Sequence, residues 1–180
     1  MIKDRGPWIQ TYTGRRFHYA DPQPDDIHFE DIAHALAMLC RYAGHSYRFY
    51  SVAEHSVLVS KQFASPQMRL LGLLHDATEA YCVDLPSPLK QLLPSYKDYE
   101  NKVWSVIARK FGLPDQPDAE IKDTDTRMMI TERPQLFAQP LPWPKYAEVK
   151  PFPGVRVRGL DPVWAKIEFM DEFRAIQSVL

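Results

Sequence analysis

Cysteine is nearly missing from this 180-residue chain, which has only Cys40 and Cys82. Two cysteines build no disulfide framework, so reduced thiols in a core are expected. No apolar run approaches the ~20 residues that a membrane span requires, which argues against a membrane partner. Charge of one sign is also lacking. A net charge of −1 gives no bulk electrostatic reason to expect duplex nucleic acid or an anionic lipid surface. The opening residues, MIKDRGPWIQ, carry no signal-peptide apolar region, so the expected location is the cytoplasm. Glycine is sparse, and no glycine-rich loop of the kind that cradles phosphates is present.

With 45% hydrophobic residues, a chain of this length makes one domain with a proper core. Residues 1–29 lack helical spacing. WIQTYTGRRFHY predicts two short strands around Thr13-Gly14, and ADPQPDD a linker. Helical spacing begins at Glu30 and runs through Ile32, Leu36, Leu39 and Ala43. A second helix starts at Ser51, where Ser51 and Glu54 fit a capping box. A third opens at Ser65-Pro66 and is expected to reach about Tyr81, where Pro86 and Pro88 end it. A fourth covers SYKDYENKVWSVIARKF and stops at Gly112. A fifth begins near Asp118 and aligns Ile121, Asp125, Met128 and Glu132. Residues 133–160 are proline-rich and predict an irregular arm, and Asp161-Pro162 starts a last helix. The fold class is all-α, with an N-terminal hairpin and a proline-rich arm.

Three inward helical stripes carry polar residues that a plain core would not hold: His55, the adjacent pair His75-Asp76, and Asp125. Each alone has an ordinary explanation. An inward histidine is more often a hydrogen-bonded core residue than a ligand, and Asp125 has Lys122 three residues before it as a surface partner. Together, two imidazoles and two carboxylates make a mixed ligand set suited to one divalent cation, which would also offset the cost of burying the carboxylates. Successive helical residues project about 100° apart, so His75 and Asp76 can both reach one ion. Glu79 falls on the same face, placed to address a water on that ion.

The order His55, His75-Asp76, Asp125 resembles the H…HD…D signature of the HD-domain metal-dependent phosphohydrolases. VAEHS, LLHDATEAYCVDLPSPLK and IKDTDTRMM are similar to the three blocks of its small bacterial and phage branch, which acts on deoxynucleotides. The resemblance spans about Arg41 to Glu132 and implies an HD-type helical bundle. It implies one divalent ion on His55, His75, Asp76 and Asp125, with Glu79 and Asp84 as catalytic carboxyls. Arg41, Lys90 and Lys122 then match phosphate contacts, and Tyr42 and Pro88 match positions near the base, with Tyr42 standing where close relatives carry tryptophan. Asp84 as a turn cap before Pro86, and Lys90 as plain surface, remain alternatives. All six histidines lie between residues 18 and 75. The later histidines that hold a second metal in HD-fold oxygenases are therefore lacking, which favours one-metal hydrolysis.

The ligand set suits Co, Mn, Zn, Fe or Ni, with Mg also open. The resemblance implies a deoxynucleotide substrate and a homo-oligomer. It points first to a deoxynucleoside triphosphate, with dATP preferred, releasing deoxynucleoside and triphosphate. A deoxynucleoside 5′-monophosphatase is the alternative, and a helical binding module with a structural metal a third reading.

Overall fold

The structure is a computed structural model and describes residues 4–116 and 118–180. Residues 1–3 of the expected N-terminal segment lie outside it. Strands β1 (Trp8–Gln10) and β2 (Arg16–His18) pair antiparallel with Ile9 opposite Phe17, forming the expected hairpin. Phe17 is the hairpin's contribution to the core: it is fully buried and stacks on Tyr81 at 4.1 Å between ring centroids. The rest is mostly helical, and no helix among the described residues is long and apolar enough to cross a membrane.

Helices α1 (Phe29–Met38), α2 (Val52–Ser60), α3 (Pro66–Leu74) and α8 (Pro162–Gln177) pack on one another, with α2 at their centre. Its sequence explains that position: apart from Leu58, every residue of α2 is buried, as a helix enclosed by neighbours on several sides must be. Ile32, Leu36, Leu73, Leu74, Ile107 and Phe169 fill the surrounding core without exposure. Helix α6 (Pro94–Phe111) stops where expected, with Gly112 in the left-handed conformation at φ 67°. Helix α7 (Ala119–Leu136) starts at the Asp118 cap, whose carboxylate accepts the Glu120 N–H.

Three helix ends differ from the sequence expectation. First, α1 stops at Met38 rather than continuing to Ala43. Cys40 bridges to Ser51, and residues 41–44 form a tight turn in which Tyr42 and Ala43 take φ of 57° and 51°. Non-glycine residues adopt this left-handed backbone only when their surroundings demand it, at about 1–3 kcal/mol each. Second, α3 ends at Leu74. Residues 75–78 tighten into i+3 bonds (Ala77 N–H to Leu74, Glu79 N–H to Asp76), and α4 (Glu79–Cys82) follows. A four-residue helix α5 (Ser87–Lys90) follows Pro86 and takes Pro88 into its first turn.

Third, α7 continues past the expected start of the arm and includes Pro134, two residues before it ends. A proline so near the C-terminus removes only one ladder bond, from the carbonyl of Ile130, and the helix survives it. The arm then folds back against the helices. The Phe152 N–H donates to Thr131, the Val157 N–H to Gln135, and the N–H groups of Arg158, Gly159 and Leu160 to Glu54. Glu54 therefore does not complete the expected capping box. Ser51 accepts the Glu54 N–H, while the Glu54 carboxylate anchors the arm.

Candidate metal centre

The suspected ligands come from three different places in the helical body. His55 lies inside α2 with no exposure, His75 and Asp76 at the tightened turn after α3, and Asp125 on the second turn of α7. His55, His75 and Asp76 each offer a donor atom within 4.8 Å of the other two, a group that can hold a metal ion. The Asp125 carboxylate is 3.1 Å from His55 Nε2 and 3.9 Å from His75 Nε2.

The imidazoles are oriented for a cation. His55 Nδ1 donates to Glu132 at 2.5 Å and His75 Nδ1 to the Gly72 carbonyl at 2.7 Å. Both Nδ1 atoms are thus committed as donors, and the two Nε2 atoms face each other at 3.3 Å. In neutral imidazoles these are two lone pairs pointing at one spot, an arrangement that requires a positive charge between or upon them. In the protein alone the neighbouring carboxylates favour a proton there. Burial opposes it at His75, but Asp76 beside it raises the imidazole pKa well above its ordinary value. Burial likewise works to raise Asp76, and the His75 charge overrides it and holds the carboxyl below the usual range. A divalent ion satisfies the same donors, so the residues present fit one.

Glu132 is the residue behind the cluster that the sequence reading did not single out. It is fully buried and accepts from Tyr42 Oη at 2.7 Å, Tyr50 Oη at 2.7 Å and His55 Nδ1, with Arg41 Nε 3.6 Å away. A carboxylate behind an imidazole sets its tautomer and strengthens it as a ligand. Arg41 also reaches Asp76 at 3.3 Å, so its guanidinium joins the two carboxylates. This explains the strained turn after α1: it places Arg41 and Tyr42 where α2, α3 and α7 meet. The signal for Glu132 was available, since it shares with Asp125 the anomaly of a carboxylate on an apolar stripe.

The two aspartates of the cluster line a cavity of about 660 Å³, while His55 and His75 are not among its lining residues. Arg41, Tyr42, Glu79, Asp84, Pro88 and Lys90, all singled out in the sequence, line it together with Asp76 and Asp125. Glu79 is buried, and one of its oxygens has no hydrogen-bond partner among the described residues. Burial, with Asp76 and Asp84 nearby, pushes its pKa well above the ordinary carboxyl value. Asp84 is also raised, chiefly by burial, and follows Val83, a β-branched residue at φ 62°. Lys90 is held by Glu100 at 2.7 Å and lies 3.7 Å from Glu79. Lys122 does not join them: it is exposed on α7 and outside the cavity lining. Its place as a cation is taken by Lys145, which the arm brings to the cavity with Phe137, Trp143 and Tyr146.

No family model matches the chain. It is 47% identical over 129 residues to the uncharacterized protein YfdR of Escherichia coli (strain K12), covering 72% of both chains. It is 39% identical over 124 residues to an uncharacterized protein of Rhodobacter capsulatus, covering 64% of this chain and 63% of the other. The chain belongs to the family of YfdR.

Proposed function

We propose that this chain is a one-metal phosphohydrolase of the HD type acting on deoxynucleoside 5′-phosphates. The observation that carries the reading is the convergence of His55 Nε2, His75 Nε2 and Asp76, with Asp76 and Asp125 lining a cavity that also holds the buried Glu79. His55, His75, Asp76 and Asp125 would hold the ion, which supplies an acidified water at neutral pH and withdraws charge from the phosphoryl group. Glu79, whose carboxyl burial biases toward the protonated form, is the acid that gives its proton to the leaving 5′ oxygen. Asp84 accepts a hydrogen bond from the attacking water and orients it. Arg41 and Lys90 neutralise the non-bridging phosphate oxygens.

The charges favour the monophosphate. The cations lining the cavity are Arg41, Lys90 and Lys145, and the first two already face carboxylates, Asp76 and Glu132 for Arg41 and Glu100 for Lys90. A deoxynucleoside monophosphate needs less added positive charge than the triphosphate expected first from the resemblance. Lys145, which extends the cations onto the arm, is the observation that keeps a dATP triphosphohydrolase as the second reading.

Incubation of metal-loaded protein with dAMP and with dATP, followed by chromatography, tests both. Deoxyadenosine and phosphate from dAMP are expected, with no product from His75→Ala. Intact triphosphate released from dATP, with dAMP slower, would establish the second reading. Turnover of neither, with Co²⁺, Mn²⁺ or Mg²⁺ present, would overturn the proposal.

A further inference from the structure

The proline-rich arm brings an aromatic surface to the cavity that none of the motifs of the helical body accounts for. Phe137, Trp143 and Tyr146 line the cavity whose polar wall carries Arg41, Asp76 and Asp125. They are not a loose fringe. Arg133 stacks its guanidinium on the Trp143 ring at 3.5 Å, and Tyr146 lies 6.1 Å from Trp143 between centroids, at a tilt of 56°. Phe137 meets Tyr42 edge-on at 5.2 Å, which ties the start of the arm to the turn carrying Arg41. Trp143 nevertheless keeps 39% of its surface exposed. A large aromatic side chain that is oriented by a cation yet left partly uncovered in the lining of the cavity is suited to a flat ring.

A ligand that fills the cavity has an anionic end at the metal ligands and cations, and a planar end at the arm. We infer that Trp143 and Tyr146 form the nucleobase-recognition wall, so that the arm, and not the helical body, sets affinity for the base. This rests on the deoxynucleotide reading above and adds which residues distinguish a nucleotide from a bare sugar phosphate.

Calorimetric titration with deoxyadenosine, which has the base and no phosphate, isolates the arm from the metal centre. Inorganic phosphate, titrated separately, isolates the polar end. Trp143→Ala weakens deoxyadenosine binding about tenfold, within the range of single base–aromatic stacks. Trp143→Phe keeps most of that binding, and neither variant changes the affinity for phosphate. Unchanged circular dichroism of Trp143→Ala confirms its fold, and Tyr146→Ala provides a second loss in a residue on the same wall. If wild-type protein binds deoxyadenosine and neither alanine variant weakens it, the arm inference is overturned while the deoxynucleotide reading stands. If wild-type protein hydrolyses and binds no nucleotide or nucleoside at all, the reading fails and the inference fails with it.

Discussion

Glu54 and Glu132 are two buried glutamates that do different work on either side of the same helix. Glu54, on α2, gives both oxygens to main-chain N–H groups: Arg158 and Gly159 to one, Leu160 to the other. Gly159 makes this possible, since its φ of 66° turns the chain so that successive amides converge on the carboxylate. Glu132 faces the next residue of α2, His55, and all its partners are side chains. Burying either charge without partners would cost several kcal/mol. The difference lies in where each network ends. Glu54's closes on itself as a staple between helix and arm. Glu132's continues through His55 to an Nε2 that faces a second imidazole and two carboxylates. A buried charge therefore marks a candidate site when its chain of bonds ends in a cluster of ligating atoms.

The largest effect that separates the two is expected on removing a ligand. His75→Ala should cut turnover of dAMP by more than about a thousandfold, well beyond the roughly 10–100-fold typical of residues behind a metal ligand. Steady-state kinetics at saturating metal measures it. Glu132→Gln keeps the shape but loses the charge behind His55, so metal affinity should fall about 10–100-fold, as read by competition with a chelating indicator. Glu54→Gln should leave that affinity unchanged and lower stability by about 1–3 kcal/mol, the usual cost of disturbing hydrogen bonds to a buried charge. Urea denaturation gives the stability, and limited proteolysis within residues 137–160 should accelerate. If Glu54→Gln weakens metal binding as much as Glu132→Gln, the two glutamates are not distinct in kind. Asp161→Ala offers the smallest effect. It removes the cap that accepts the Val163 and Trp164 N–H groups and should cost about 1 kcal/mol without touching turnover.

The difference between local and long-range causes also explains what the sequence disclosed. The starts of α2, α7 and α8 were legible because Ser51, Asp118 and Asp161 bond to N–H groups two or three residues away. The ends of α1 and α3 were not. Leu39 and Ala43 continue a helical spacing, yet Arg41 is pulled out of it by Asp76 and Glu132, residues far along the chain. The grouping of His55 with His75-Asp76 was legible as polarity on apolar faces, while the same anomaly at Glu132, on the stripe of Asp125, was passed over. Lys122 was misplaced because a long, flexible side chain one turn from Asp125 gives no sign of its direction in the sequence. The arm was opaque for another reason: prolines impose no periodicity, so nothing announced that Trp143, Lys145 and Tyr146 would return to the cavity.

Metal content after equilibrium dialysis against a single divalent cation tests the central claim most directly. Elemental analysis should find one ion per chain in the wild type and in Glu54→Gln, and none in His55→Ala or His75→Ala. Wild-type protein that retains no ion with any of Co²⁺, Mn²⁺ or Zn²⁺, or ligand variants that retain as much as the wild type, would contradict it.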